Sequence, residues 1–329
     1  MLLVTCLNPA LDITHHVPAV DWAGVNRPTA VFARPGGKGT NVARVLRSFG
    51  MSVLLTGFAG GTTGTAVETE LGRLGVPTAF TPVAGETRRT FTVVDSTVVD
   101  GNPGGVQVRV ALFNEPGPEV SEAEFTRFRR DYDTVLTNAS VVVLSGSLPP
   151  GVAPDGYARL IEAANSAGVP AVLDTSGEAL RAGVAAGPAI VKPNLDELGA
   201  LVGSRLRTPA GETDLAAVTA AAAALRADGA GSVVVSLGPG GLLAVTGDGC
   251  WRALAPVISA GNATGAGDAV TAALAHGVIL GQRWPERLRH AAALGAAAVA
   301  APVAGEFSVA DYEAGLRSAT VSAYQDGDR

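Results

Sequence analysis

Cysteine is almost missing from this 329-residue chain. Cys6 and Cys250 are the only two, and they stand in no metal or redox spacing. Both lie in apolar, strand-like runs, so buried free thiols are expected. Histidine is scarce as well, at 15, 16, 276 and 290. His15 and His16 are adjacent on a strand-like run and point to opposite faces. The other two have no partner ligand nearby in sequence, so no protein-held transition metal is expected. Basic charge is in deficit: 24 Lys and Arg face 30 Asp and Glu, a net charge of −6. A nucleic-acid surface needs the opposite balance, although local cations can still hold a small anionic substrate. Charged residues make up only 16%, too little for a solvating tail. No apolar run reaches membrane length. The longest, Ala291 to Ala304, is short and alanine-rich, and alanine also accounts for much of the mean hydropathy of +0.29. The first residues carry no basic leader or cleavage site. The expectation is a soluble cytoplasmic protein.

What is present is core material, with 47% hydrophobic residues. Apolar strand-length runs alternate with helical periods. Strands are expected at Leu2 to Leu7, Val53 to Phe58, Val141 to Leu144, Ala171 to Leu173, Ala189 to Val191 and Ser232 to Ser236, then near Leu242 and Ala253. Helices are expected over Asn41 to Phe49, Thr65 to Leu74, Asp155 to Ala167, Glu178 to Ala182, Leu195 to Val202 and Leu215 to Ala227, and from Asp268, Pro285 and Val309. Such alternation predicts a single α/β domain over 1–329, with a mostly parallel sheet between two helical layers. Two stretches, 13–34 and 78–113, break it with strand-like residues and no helical period. They predict a small β layer outside the main sheet, suited to a lid or a dimer contact.

The Gly-rich turn at Gly265-Ala-Gly-Asp268 opens an apolar helix. The first turn of a helix offers unpaired N–H groups and the positive dipole end, which suit a phosphate. An acid at that place makes chemical sense if Asp268 takes a proton from a hydroxyl while the amides of Gly265, Ala266 and Gly267 hold a transferring phosphoryl group. The plain alternative is an ordinary helix N-terminal acid. Asp12 follows the first strand, where parallel sheets gather ligands, or else serves its own turn. Gly36-Gly37-Lys38-Gly-Thr-Asn41 feeds another helix without Walker A spacing, and the dinucleotide glycine pattern is absent too. Arg88 and Arg89 alternate in direction, so one at most enters a given cleft, where a guanidinium could grip phosphate. Ser147 lies just after an expected strand, in a spacing that is not a hydrolase elbow. Asn194 with Glu197 has capping-box spacing, and Ser236 to Gly241 is a tight glycine turn.

Together Asn8-Pro-Ala-Leu-Asp12, Gly36 to Asn41, Gly146-Ser-Leu-Pro-Pro-Gly151, Lys192-Pro-Asn194, Ser236-Leu-Gly238 and Gly265 to Asp268 resemble the ribokinase-like sugar kinases, the PfkB family. The resemblance runs from residue 2 to about residue 300. With Asp174-Thr-Ser-Gly-Glu-Ala-Leu180 it is most similar to the phosphofructokinase and tagatose-6-phosphate kinase branch. It implies a three-layer α/β/α fold with a β lid that often forms a homodimer contact, and ATP with Mg²⁺ as phosphoryl donor. By the same resemblance Asp268 is the base and Gly265, Ala266 and Gly267 the anion hole. Asp12, Gly36, Gly37 and Asn41 hold sugar; Arg88 and Ser147 hold its phosphate, with Lys38 and Arg27 as helpers. Lys192, Asn194, Glu197, Ser236, Gly238, Gly241 and Thr264 face the nucleotide, and Glu197 meets Mg²⁺ indirectly. The implied activity is a ketohexose-phosphate kinase, read first as a 1-phosphofructokinase. A 6-phosphofructokinase, a tagatose-6-phosphate kinase, a kinase of free sugar and a non-catalytic sugar-phosphate sensor stand as alternatives. The chain departs from the family in the lead-in from Val257 to Thr264 and in a longer lid turn around Asp100 to Gly105.

Overall fold

A computed structural model describes residues 1–98, 106–255, 264–301 and 303–325. The lid turn at Asp100 to Gly105 and the lead-in from Val257 to Ala263 lie outside the described residues. Strand β1 (Leu2–Cys6) is followed by β2 (Ala10–Val17), β3 (Ala30–Gly36) and helix α1 (Lys38–Ser48). Then come β4 (Val53–Ala59), α2 (Gly61–Arg73), β5 (Thr78–Pro82), β6 (Arg88–Val98), β7 (Val106–Asn114) and α3 (Glu122–Leu136). The alternation continues through β8 (Val141–Ser145), α4 (Gly156–Ser166), β9 (Ala171–Asp174), α5 (Gly177–Ala185), β10 (Ile190–Val191), α6 (Leu195–Val202), α7 (Leu215–Ala227) and β11 (Val233–Ser236). Last are β12 (Leu242–Thr246), β13 (Gly249–Leu254), α8 (Ala266–Ile279), α9 (Trp284–Ala300), α10 (Val309–Ser318) and β14 (Thr320–Ala323).

One sheet has the order β14-β13-β12-β11-β10-β9-β8-β1-β4-β5. Its strands are parallel from β11 to β5 and antiparallel from β11 to β14. Successive side chains of a strand point to opposite faces, and both faces are covered. Leu3, Leu144 and Leu173 pack with Phe125, Phe128 and Tyr132 of α3 and with Tyr157 and Ile161 of α4. Leu2, Val4 and Val143 pack with Val42 and Leu46 of α1, Leu274 of α8 and Leu294 of α9. This two-sided burial explains why the central strands read as unbroken apolar runs.

The second sheet, β3-β2-β6-β7, is the expected β layer. Its extent needs a correction. Thr78–Pro82 is not part of it but pairs parallel with β4 at the edge of the large sheet, so the layer takes up the chain again at Arg88. Helix α3 was not anticipated, although Ser121 and Glu124 form a capping box at its start and Phe125, Phe128, Tyr132 and Leu136 keep helical spacing. The edge strand β14 was missed as well. Of the two thiols, Cys6 is buried and Cys250 only half-buried, because β13 lies toward the edge.

Candidate active site

Parallel strands present their carboxyl ends side by side, and the candidate residues follow that order along the sheet. Ser236 ends β11, Lys192 follows β10, Asp174 ends β9, Ser147 lies two residues past β8, and Asn8 two past β1. Helix α8 starts over this rim. Gly265 is its N-cap at φ 88°, and a Cβ there would come within 2.9 Å of the Ala304 Cβ, so both conformation and space call for glycine. By helix geometry the N–H groups from Gly265 to Asp268 have no partner within the helix, and residues 265–267 are half-buried rather than sealed.

Asp268, in this first turn, is 5% exposed, and its Oδ2 accepts a hydrogen bond from Asn41 Nδ2 at 2.8 Å. Asn41 comes from the second turn of α1, so the two Gly-led helices meet through one amide–carboxylate bond. Burial, with the charge of Asp174 adding to it, pushes the Asp268 carboxyl up to about 7, while Asn41, Lys38 and Lys192 oppose the rise. The move from 3.8 to about 7 costs the ionised form about 4 kcal/mol. Such a carboxylate is a far better proton acceptor than a surface aspartate.

Sequence reasoning gave no site role to Asp174, which proves to be the hub. Its side chain is fully buried and accepts from Thr271 Oγ1 at 2.8 Å. Lys38 Nζ lies 3.3 Å from Oδ1 and Lys192 Nζ 3.3 Å from Oδ2. Burial alone would raise the Asp174 carboxyl, but the charges of Lys192 and Lys38 outweigh it and hold the group below its usual range. The charge of Asp174 in turn raises Lys38 against the effect of burial, with Glu197 at 3.4 Å assisting. Lys38 and Lys192 are the chain's only two lysines. Both reach this one carboxylate, a convergence that only the fold brings about. Lys38, by resemblance a helper for the substrate's phosphate, sits beside Asp174 and Glu197.

Asp12 lies in β2, not in a turn, and its Oδ1 accepts from Thr90 Oγ1 at 2.6 Å. A Cβ on Gly36 would fall 1.9 Å from Asp12 Oδ2, so glycine at 36 makes the room for this carboxylate. Burial raises the Asp12 carboxyl, opposed by the Thr90 bond and the charges of Arg88 and Arg44. Gly37, at φ 95°, is the N-cap of α1. Arg88 Nε donates to the Asn8 carbonyl at 3.1 Å, and Asn8 Nδ2 donates to Ser147 Oγ at 3.2 Å, so Asn8 ties these two together. Arg27 is exposed on the connection between β2 and β3, and no described contact brings it to this cluster.

On the other side, Asn194 and Glu197 form the capping box of α6 with bonds of 2.7 and 2.9 Å. Ser236 bridges Asn194 in parallel fashion. Gly238 opens a 3₁₀ turn and Gly241 closes it at φ 81° with no room for a Cβ beside the Ala253 carbonyl. Thr264 is exposed directly before Gly265.

A buried acid raised by its surroundings, a helix start and two lysines thus meet on the rim of a parallel sheet, beside a β layer. Residues 7–310 match the family described as pfkB family carbohydrate kinase, and the chain belongs to that family. The family and its solved members make it an ATP-dependent sugar kinase, a phosphotransferase to an alcohol group. Similar solved structures include Escherichia coli phosphofructokinase-2 in complex with fructose-6-phosphate, 32% identical, covering 96% of this chain and 98% of that one at TM-score 0.83. The tetrameric inhibited form of the same enzyme is similar at TM-score 0.84 with the same identity and coverage. A Thermotoga maritima protein named as a possible 1-phosphofructokinase is 27% identical, covering 99% of this chain and all of that one at TM-score 0.84. Among the described residues no helix is long and apolar enough to cross a membrane.

Proposed function

We propose that this kinase transfers the γ-phosphoryl group of ATP to the free primary hydroxyl of a ketohexose phosphate, as a 1-phosphofructokinase that makes fructose 1,6-bisphosphate. The observation that carries the reading is Asp268: buried, raised to about 7, bonded to Asn41 and set in the first turn of α8. In this reading Asp12, Gly36, Gly37 and Asn41 orient the sugar, and Arg88 with Ser147 holds its phosphate. Asp268 takes the proton of the attacking hydroxyl. The amides of Gly265, Ala266 and Gly267 face the charge on the moving group, which Lys192 and Lys38 help to balance. The turn at Ser236, Gly238 and Gly241, with Asn194 and Thr264, borders the nucleotide.

Magnesium fits as an ion carried on ATP. Among the described residues no group of three or more His, Cys, Asp and Glu side chains forms a metal cage, and the nearby carboxylates Glu197 and Asp174 are already engaged by Lys38. When bound, the ion supplies charge neutralisation on the phosphates.

A second reading, 6-phosphofructokinase, is favoured by the 32% identity to the E. coli enzyme solved with fructose-6-phosphate. ADP release measured with fructose 1-phosphate, fructose 6-phosphate, tagatose 6-phosphate and free hexoses separates the readings. The highest kcat/KM is expected with fructose 1-phosphate. A preference for fructose 6-phosphate selects the second reading, and no release with any sugar phosphate overturns both in favour of a sensor.

A further inference from the structure

Arg44 has no part in the reaction as read above, yet it is among the least accessible charges of the protein. Its side chain is 5% exposed. It projects from α1 one turn beyond Asn41 and uses its fork in two directions. Nη1 donates to the Ala304 carbonyl at 2.9 Å, and Nη2 to Glu306 Oε1 at 2.8 Å. The segment it grips, 304–306, is threaded between the two helices of the site. Ala304 is the residue that a Cβ on Gly265 would strike. Gly305, at φ 77°, packs so closely that its own Cβ would lie 3.0 Å from Asn41 Oδ1 and 2.9 Å from Arg44 Nη1. Two residues on, the Phe307 ring packs at a tilt against that of Phe49, the C-cap of the same helix, with centroids 5.0 Å apart. Segment 304–307 is therefore fastened to α1 at both ends and touches both the turn that opens α8 and the amide that bonds Asp268.

Glu306 is 43% exposed, so only the arginine end of this ion pair is buried, and a partly solvated pair is a poor source of stability. What a guanidinium fork adds is direction: two acceptors fixed in one plane at once. Burial lowers Arg44 from its ordinary value, and the Glu306 charge works against that.

We infer that Arg44 and Glu306 are positioning residues for phosphoryl transfer: they clamp segment 304–306 against Gly265 and so aim the first-turn amides of α8 and the Asn41–Asp268 bond at the reacting groups. The inference rests on the reading of that turn as the phosphoryl site.

The test is steady-state kinetics of Arg44→Lys, Glu306→Gln and the double variant, with unfolding midpoints measured alongside. Lysine keeps the charge but cannot hold both acceptors in a plane. A misplacement of about 1 Å lowers turnover up to roughly 100-fold. Each single variant is expected to lose about tenfold or more in kcat at a temperature well below its midpoint, with KM for the sugar phosphate within about twofold. The double variant is expected to lose little more than the worse single, because both act on one segment. Full kcat in both singles, or a loss confined to the unfolding midpoint, overturns the clamp and leaves the kinase reading intact. If the unmodified protein releases no ADP with any sugar phosphate, the reading itself fails and the inference with it.

Discussion

The two sheets of this protein are made from similar residues and are treated oppositely. In the ten-stranded sheet β8 is buried along its whole length. In the four-stranded sheet Val31, Phe32, Val110, Leu112 and Phe113 are each more than half exposed. The first sheet has helices on both faces and needs nothing further. The second leaves apolar side chains exposed on both its faces, Phe32 and Leu112 on one, Val31 and Phe113 on the other. On the proposed function the contrast separates two tasks: the body would carry the phosphoryl machinery, and the β layer would contribute the sugar-side groups Asp12 and Arg88 where it meets the body.

The largest expected effect strikes the body's chemistry. Asp268→Asn is expected to lower kcat by about 10²- to 10⁴-fold while sugar-phosphate binding stays near normal. For the unmodified enzyme kcat should rise with pH through about 7, as Asp268 loses its proton. Stability moves the other way. Between about 4 and 7 the folded chain keeps a proton that the unfolded chain has released, so stability falls as pH rises through that window. The asparagine variant escapes that fall and should gain on the unmodified protein in Tm at pH 8 but not at pH 4. Equal pH dependence in the two would remove Asp268 as the titrating group.

Next in size is the contrast between cores. Leu144→Ala, at a fully buried site, is expected to cost about 2–5 kcal/mol of unfolding free energy. Phe113→Ala, 54% exposed, should cost well under half of that in dilute solution, read by chemical denaturation. Equal losses would mean the β layer is as integral as the body. Smaller again is Gly36→Ala, whose new methyl displaces the Asp12 carboxylate; KM for the sugar phosphate should rise roughly tenfold with kcat less affected. Smallest in the monomer is Leu112→Lys, 61% exposed, within about 0.5 kcal/mol of stability. If the layer joins two copies, that same change shifts sedimentation toward monomer, and an unmoved association state places the contact elsewhere.

The body was legible because its strands, covered on both faces, appear as apolar runs and because α6 and α7 start at side-chain caps. The bounds of α6 and α7 were read from sequence as the structure has them. Thr78–Pro82 went to the wrong sheet because an edge strand of five residues and a lid strand look alike in isolation. Among the site residues, those on glycine turns stood out, since the turn needs glycine whatever is bound. Asp174 did not, because nothing local distinguishes a strand-end aspartate until two distant lysines are folded onto it. Arg44 was hidden for a similar reason: its partners lie about 260 residues along the chain.

The chain first enters the β layer after Asn8 and leaves it for the last time before Pro116, and these two crossings are locked together. Asn8 Nδ2 donates to the Pro116 carbonyl at 2.9 Å as well as to Ser147, and its own carbonyl receives Arg88. One asparagine therefore ties together two of the joints between the outer sheet and the body. On the proposed function, a swing of that sheet about this joint would carry Arg88 with it while Ser147 stays on the body, and the gap between those two side chains would gauge the anionic end of the sugar phosphate.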